Sequence, residues 1–135
     1  MYVYKTDVAT LAALRPNMIH TLLQTGHGLV TPSSLERSSY GVLMQDNKVI
    51  CGIAHVHVKD DVHWIEGMCM RDTHRHRGLG SEMLDLITSE LAGAQAKTAV
   101  LRDVPTHDRL VMFYTKRGFV EKEITATHTT LDFCE

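Results

Sequence analysis

The sequence predicts a mixed α/β fold, in which a central, mostly antiparallel sheet contains one parallel strand pair and has helices on both faces. Three observations predict it. Apolar segments in the middle of the chain are separated by short polar turns, and connections that short allow only antiparallel pairing. A strand, an amphipathic helix and another strand then follow, which is typical of a parallel crossover unit. Two short strands close the chain as a hairpin.

The first predicted elements are a short strand and two helices. Tyr2-Val3-Tyr4 is aromatic and β-branched, as residues in strands often are. Thr6-Asp7 offers an N-cap for a helix whose apolar positions begin at Val8. Pro16 ends that helix and can open a second one, which Gly26 stops.

Three strands in the middle of the chain are predicted to form an antiparallel meander. Residues 41–45, 49–58 and 62–70 are the apolar segments that make these strands. Asp46-Asn47 and Asp60-Asp61 are the turn signals between them. The chain therefore doubles back twice, and the three strands lie side by side in chain order.

The second half of the chain supplies the crossover unit and the hairpin. Apolar residues recur at helical spacing over residues 78–92, and residues 97–102 are typical of a short buried strand. A last helix around residues 110–114 ends near Gly118, a common C-terminal cap. The closing hairpin comprises residues 119–124 and 127–133.

Composition limits the possible classes of protein. The 135 residues predict one domain, residues 1–135, which buries enough surface to need no disulfide or metal for stability. A net charge of -2 disfavours a nucleic-acid partner, and no apolar run has the roughly 20 residues of a membrane-spanning helix. Cys51, Cys69 and Cys134 form no C-x-x-C pair, which is typical of reduced thiols. We expect a cytoplasmic monomer or homodimer.

The junction between the third meander strand and the following helix, residues 71–80, suggests a ligand site. It holds three arginines and two histidines, and Gly78 and Gly80 let a ligand approach the backbone closely. The helix start offers free N–H groups to an anion, and a pyrophosphate fits such a site. The segment is not a P-loop, because no Lys-Ser or Lys-Thr follows Gly80, and it is not a dinucleotide fingerprint, because Met83 stands where the third glycine would be. A solvated basic turn is the alternative interpretation.

Two segments in this order resemble the GNAT acetyltransferases. Residues 75–80 are similar to the family signature R/Q-x-x-G-x-G/A, and residues 113–119 look like its second signature, a tyrosine on the last helix followed by Gly-Phe. The resemblance extends over residues 40–120. It implies a GNAT-like fold whose parallel strand pair splays apart. It also implies an N-acetyltransferase that moves an acetyl group directly from acetyl-CoA to a primary amine of a small molecule or protein.

The resemblance further implies a binding site for acetyl-CoA and no metal. The pyrophosphate would lie on the loop and helix start, and the pantetheine arm would pair with the backbone of the preceding strand, as in β-strand addition. The residues implied in binding are Met68, Cys69, Met70, Arg75, His76, Arg77, Gly78, Gly80 and Ser81.

Direct transfer needs a neutral amine and a stabilised thiolate, and each need has a candidate residue. Tyr114 matches the family tyrosine that serves as the acid. Because a tyrosine pKa of about 10 exceeds a thiol pKa of about 8.5, hydrogen bonding to the thiolate is its minimum role. Glu66 is the candidate general base, directly or through water. Strand alternation predicts that its side chain shares a face with Trp64, Met68 and Met70. The alternatives are a packed aromatic ring and an ion-paired or outward-facing carboxylate.

Other residues leave further hypotheses open. His55 and His57 share a strand face and His63 lies on the next strand, so a metal site is one possibility; lining the acceptor groove, facing solvent or serving as the base are others. Cys69 is either a nucleophile or a small buried residue. His107 stands where the family often has Asn, seven residues before the motif tyrosine. A non-catalytic acyl-CoA-binding sensor or interaction module is the alternative function, which needs neither candidate catalytic residue.

Overall fold

The computed structural model describes most of the chain, apart from two internal segments and a few single positions. The described residues are 2–13, 38–70, 79–103, 105 and 107–134. The predicted second helix and most of the polar loop after it lie outside these residues. So do residues 71–78, which hold most of the predicted ligand loop.

One seven-stranded sheet forms the centre of the molecule. Its strands are β1 (Tyr2–Asp7), β2 (Tyr40–Asp46), β3 (Val49–Lys59), β4 (Val62–Met70), β5 (Gln95–Leu101), β6 (Val120–Ile124) and β7 (His128–Cys134). In the described part of the chain, the helices are α1 (Val8–Ala12), α2 (Leu79–Ser89) and α3 (His107–Thr115). The strand order is β1-β2-β3-β4-β5-β7-β6, and only the β4/β5 pair is parallel. The predicted mixed sheet with one parallel pair is confirmed.

The meander follows from two tight turns. Asn47 and Lys48 have φ values of 51° and 66°, and Asp60 and Asp61 have 53° and 61°. Two consecutive left-handed residues are the geometry of a type I′ turn, whose twist suits an antiparallel hairpin. Asn and Asp tolerate this conformation better than most residues. The predicted signal Asp60-Asp61 therefore forms the second turn, whereas the first turn lies one residue later than predicted, at Asn47-Lys48, because Asp46 still belongs to β2.

Helices cover both faces of the sheet, as predicted. Leu11 of α1 lies so close to Gly41 that a Cβ there would come within 2.6 Å of a Leu11 methyl carbon. On the opposite face, a Cβ on Gly52 would meet Met83 of α2 at 3.3 Å. Because Gly41 pairs with His55, and residues 52 and 55 of one strand point to opposite faces, α1 and α2 lie on opposite sides. The larger core lies on the α2 side.

The parallel pair separates part of the way along its length. The β4/β5 register runs from Val62↔Gln95 to Ile65↔Thr98 and ends there. Residues 66–70 of β4 continue along β3, while residues 99–101 of β5 continue along β7. We call the opening between these two segments the strand gap, and Ile65 with Thr98 its vertex. The splayed pair implied by the family resemblance is therefore present.

Candidate active site

The vertex of the strand gap is a buried pair of residues. Ile65 and Thr98 have side chains that are 3% exposed each. The Thr98 hydroxyl donates a hydrogen bond to the Ile65 carbonyl oxygen over 3.1 Å. This bond crosses from β5 to β4 at the last register pair of the parallel ladder. The two strands are therefore tied together at the place where they begin to separate.

Tyr114 reaches this vertex from α3. Its side chain is 5% exposed, and its ring packs edge-on against Phe113 and Phe119 at centroid distances of 5.2 Å each. Burial raises the pKa of Tyr114 to about 12, and a hydrogen bond with the Thr98 side chain acts in the opposite direction. The hydroxyl is therefore protonated at neutral pH and available as a donor beside the strand gap.

Glu66 lies at a β-bulge, and this corrects the face predicted for it. In the register with β3, Ile65 pairs with Val56 and Met68 pairs with Ala54. Since Val56 and Ala54 share a face of β3, Ile65 and Met68 share a face as well, although they are three residues apart. The prediction that Glu66 shares a face with Met68 and Met70 is therefore wrong, because the extra residue of the bulge breaks the alternation.

The bulge brings the Glu66 carboxylate next to a buried histidine on the α1 side of the sheet. Glu66 Oε2 lies 4.0 Å from His55 Nδ1, and its side chain is 35% exposed whereas that of His55 is fully buried. Ser38 Oγ lies 3.0 Å from the same ring nitrogen. Glu66 thus sits at the start of the strand gap, and Tyr114 approaches the gap from the opposite face.

The first turn of α2 packs against the end of β4. A Cβ on Gly80 would lie 3.5 Å from Phe113 Cζ and 4.0 Å from Met70 Cε, and Ser81 and Met70 are each 8% exposed. The structure therefore brings Met70, Gly80 and Ser81 together at the mouth of the strand gap. Among the other residues implied in binding, Met68 is partly buried on the core side. Those outside the described part of the chain are Arg75, His76, Arg77, Gly78 and the side chain of Cys69.

The histidines are distributed over both faces of the sheet. His63 pairs with Val58, on the face opposite to His55 and His57, and its Nδ1 lies 2.8 Å from the Tyr40 hydroxyl. Among the described residues, no group of three or more His, Cys, Asp or Glu side chains could hold a metal ion. The three histidines of the metal hypothesis are therefore not on one face.

His107 opens α3 and is held between two oxygen atoms. Its Nδ1 lies 2.9 Å from Asp108 Oδ1, and its Nε2 lies 2.9 Å from Thr129 Oγ1. Thr129 is 1% exposed on β7 and pairs with Val100 of β5. The histidine at the position of the family asparagine is thus fixed beside the strand that forms one side of the gap.

Sequence reasoning missed two residues next to the candidate site. Thr98 is one of two β-branched residues in its strand, with Val100, and nothing in the sequence marks it as a residue of the site. Ser38 lies at the end of a polar loop, where serine is common. Only the three-dimensional register places Thr98 at the vertex and Ser38 against His55. No helix in the described part of the chain combines the length and apolar character that crossing a membrane requires.

Comparisons with known proteins agree with this architecture. A family model described as an acetyltransferase (GNAT) domain matches residues 36–121, which is more than half of the chain. No curated protein matches the sequence significantly.

Several solved structures share the fold at low sequence identity. The PaiA N-acetyltransferase from Thermoplasma acidophilum, in complex with coenzyme A, has a TM-score of 0.74 at 11% identity, with all of both chains covered. The ribosomal-protein-S18-alanine N-acetyltransferase from Escherichia coli has a TM-score of 0.75 at 16% identity, over 98% of this chain and 92% of that one. Aminoglycoside 6'-acetyltransferase type Ii has a TM-score of 0.77 at 14% identity, over 99% of this chain and 97% of that one.

At these identities the structural likeness shows the fold, and the family model extends from before β2 to the start of β6. The match therefore includes the bulge of β4, the strand gap and the α3 tyrosine. The chain belongs to the GNAT family of acetyltransferases and is an acyl-CoA-dependent acetyltransferase.

Proposed function

We propose that this enzyme transfers the acetyl group of acetyl-CoA to a primary amine at the strand gap, with Tyr114 and Glu66 acting from opposite faces of the sheet. The observation that supports this most directly is the burial of Tyr114 beside Thr98, because Thr98 ends the β4/β5 ladder. A thioester placed at that vertex has the tyrosine hydroxyl on the α3 side. The carboxylate of Glu66 lies on the other side.

The reaction balances with these two residues. Glu66 accepts a proton from the ammonium form of the acceptor, directly or through water. The neutral nitrogen attacks the thioester carbonyl carbon, a C–N bond forms, and the C–S bond breaks. The departing thiolate receives a hydrogen bond from the Tyr114 hydroxyl. The nitrogen loses its second proton as the amide forms, and this loss balances the proton that the thiolate takes up, so that the amide and free coenzyme A leave.

The binding part of the proposal assigns the coenzyme to the mouth of the gap. The pantetheine arm would lie along residues 68–70 of β4, where β5 no longer occupies the edge of the strand. Its pyrophosphate would meet Gly80 and Ser81 in the first turn of α2, whose free N–H groups favour an anion. The proposed anion site is completed by Arg75, His76, Arg77 and Gly78, because they belong to the segment that resembles the family signature.

The acceptor is proposed only as a primary amine, on a small molecule or on a protein. Similar structures are named for acting on a ribosomal protein and for 6'-acetylation of an aminoglycoside. The shared fold therefore serves acceptors of different size. The Glu66 side of the gap is the proposed side of entry, because the carboxylate there is one-third exposed.

Titration calorimetry with acetyl-CoA tests the coenzyme site. We expect wild type to bind with a Kd of about 1–100 μM, and the double variant Arg75→Glu/Arg77→Glu to lose this binding. Lys116→Glu/Lys122→Glu is the matched control, since both lysines are exposed, one just after α3 and one on the edge strand β6, and the change in net charge is the same. A folded wild type that does not bind acetyl-CoA would overturn the proposal.

Catalysis is tested next, by release of free thiol from acetyl-CoA in the presence of a panel of primary amines. Turnover with one of these acceptors is expected. Tight binding of acetyl-CoA without turnover by any amine, including peptide N-termini and lysine side chains, would instead favour the non-catalytic acyl-CoA-binding module.

A further inference from the structure

The start of α3 is fastened to the sheet by a hydrogen bond between two side chains. His107 Nε2 lies 2.9 Å from Thr129 Oγ1 of β7, and Thr129 is 1% exposed. Asp108 Oδ1 lies 2.9 Å from the other ring nitrogen, Nδ1. Because a carboxylate only accepts hydrogen bonds, Nδ1 carries the proton of the neutral ring, and Nε2 accepts from the Thr129 hydroxyl. We call this bond between His107 and Thr129 the clasp.

The clasp lies beside the strand gap. Thr129 pairs with Val100 of β5, and Leu131, two residues further along β7, pairs with Thr98 at the vertex. Val100 belongs to the part of β5 that has separated from β4. The start of α3 is therefore tied to the half of the sheet that forms one flank of the gap.

His107 and Tyr114 lie near the two ends of one face of α3. They are seven residues apart, which is close to two turns of an α-helix and roughly 10 Å along its axis. Tyr114 is buried, whereas Leu110 and Val111 of the same helix are only partly buried against the core. Apolar packing has no preferred direction, so it permits small shifts of the helix on the sheet. A hydrogen bond at the start of the helix removes that freedom.

We propose that His107 and Thr129 are positioning residues for acetyl transfer, because the clasp fixes the orientation of α3 and so keeps the Tyr114 hydroxyl at the vertex. The inference rests on the proposed function, in which that hydroxyl stabilises the departing thiolate. Both ring nitrogens of His107 are engaged within the protein, so this role needs no contact with the coenzyme. A donor that is in place before charge develops on the sulfur lowers the barrier without strengthening the binding of acetyl-CoA.

A double-mutant cycle tests the clasp as a unit. Thr129→Val keeps the β-branched shape but removes the hydroxyl, and His107→Phe keeps a ring but removes both nitrogens. With the acceptor found in the amine panel, we expect each variant to lower kcat about 5-fold, since one hydrogen bond is lost. The double variant should also lose about 5-fold, because either substitution alone opens the clasp. Losses that multiply to about 25-fold in the double variant, or an unchanged kcat in Thr129→Val, overturn the proposal.

The KM for acetyl-CoA and a conservative variant separate positioning from coenzyme contact and from packing. We expect KM to stay within about twofold of wild type in both single variants, because the affected step follows binding. A raised KM in His107→Phe alone would assign the histidine to the coenzyme and overturn the proposal. Thr129→Ser is the matched control, because it keeps the hydroxyl, and its kcat should stay within about twofold of wild type. An equal loss in the serine and valine variants would show that packing causes the effect.

A second measurement needs neither acetyl-CoA nor an acceptor. In protein labelled with ¹³C at tyrosine Cζ, the Tyr114 signal is identified by its loss in Tyr114→Phe. We expect this signal to shift in Thr129→Val and in His107→Phe, and to stay in place in Thr129→Ser. A signal that does not move in the first two variants overturns the positioning role. Failure of wild type to bind acetyl-CoA overturns the proposed function, and this measurement still decides whether the clasp positions Tyr114.

Discussion

At the scale of single residues, the chemistry of the site depends on how burial acts on a tyrosine. The pKa of Tyr114 is raised to about 12 because its hydroxyl is removed from water. Such a group is a poor source of a free proton but a persistent hydrogen-bond donor. Tyr114 therefore suits stabilisation of a thiolate better than complete proton transfer. Tyr40 has a similarly raised pKa of about 12, which provides a natural comparison.

Tyr114→Phe removes the donor and leaves the ring. We expect kcat for acetyl transfer to fall about 10- to 100-fold, because positioned donors and acids contribute on that order or more. The affinity for acetyl-CoA should change by less than about threefold, since a single hydrogen bond is lost. Steady-state thiol release and calorimetry measure the two quantities.

Tyr40→Phe is the matched control for this experiment. Its hydroxyl is also buried and lies 2.8 Å from His63 Nδ1, but it belongs to β2. We expect this variant to retain the wild-type kcat. Equal losses in the two variants would show that removal of a buried hydroxyl, and not the position of Tyr114, causes the effect.

At the scale of elements, the end of α3 decides where Tyr114 points. Gly118 has a φ of 96°, and the Phe119 amide donates to the Tyr114 carbonyl over 3.1 Å. This left-handed turn lets the chain reverse at once, so that Phe119 packs on the ring of Tyr114. The Gly-Phe pair of the second signature is therefore explained by the cap of the helix that carries the tyrosine.

Gly118→Ala and Gly93→Ala test this cap against a matched glycine. Both residues have a positive φ, so that alanine costs about 1–2 kcal/mol of stability at either position. At Gly118 the new Cβ would also lie 3.1 Å from Phe133 Cε2, whereas at Gly93 it would meet nothing within 4 Å. In urea denaturation we expect the larger loss of unfolding free energy at Gly118. An equal or larger loss at Gly93 would contradict this explanation.

The elements were largely predictable from the sequence, and the site was less so. The meander was predictable because Asn and Asp, which tolerate the left-handed conformation of tight turns, stand between the apolar segments. Strand β4 was predicted with its observed bounds. The sheet face on which Glu66 lies was not predictable, because a bulge inserts one extra residue into a strand and no residue type in the sequence marks it. The position of Thr98 at the vertex was hidden for a similar reason: the place where a parallel pair separates depends on strands β3 and β7, which come from distant parts of the sequence.

At the scale of the whole molecule, the two buried tyrosines couple folding to alkaline pH. A tyrosine in an unfolded chain has a pKa of about 10, whereas Tyr40 and Tyr114 have about 12 when folded. The folded state therefore binds the phenolic protons of these two tyrosines more tightly than the unfolded state does. Their stabilising contribution is complete below about pH 10 and is lost as the pH rises from 10 to 12.

The difference in unfolding free energy between wild type and Tyr114→Phe should reveal this coupling. From pH 9 to pH 11.5, we expect the stability of wild type relative to the variant to fall by about 2 kcal/mol, as a two-unit pKa difference requires. Comparison with the variant cancels the titration of lysines and other groups common to both proteins. Parallel curves of stability against pH would contradict a raised pKa of Tyr114.

The strand gap also makes the sheet two unequal halves, one of β1 to β4 and one of β5 to β7, joined along only four register pairs. Beyond the vertex, residues 66–70 of β4 and 99–101 of β5 are strand edges that do not pair with each other. A chain-like ligand with amide groups can lie between these edges as an additional strand. A co-substrate bound in the gap would then link the two halves into one continuous sheet, so that the enzyme's own substrate would supply a missing strand of its fold.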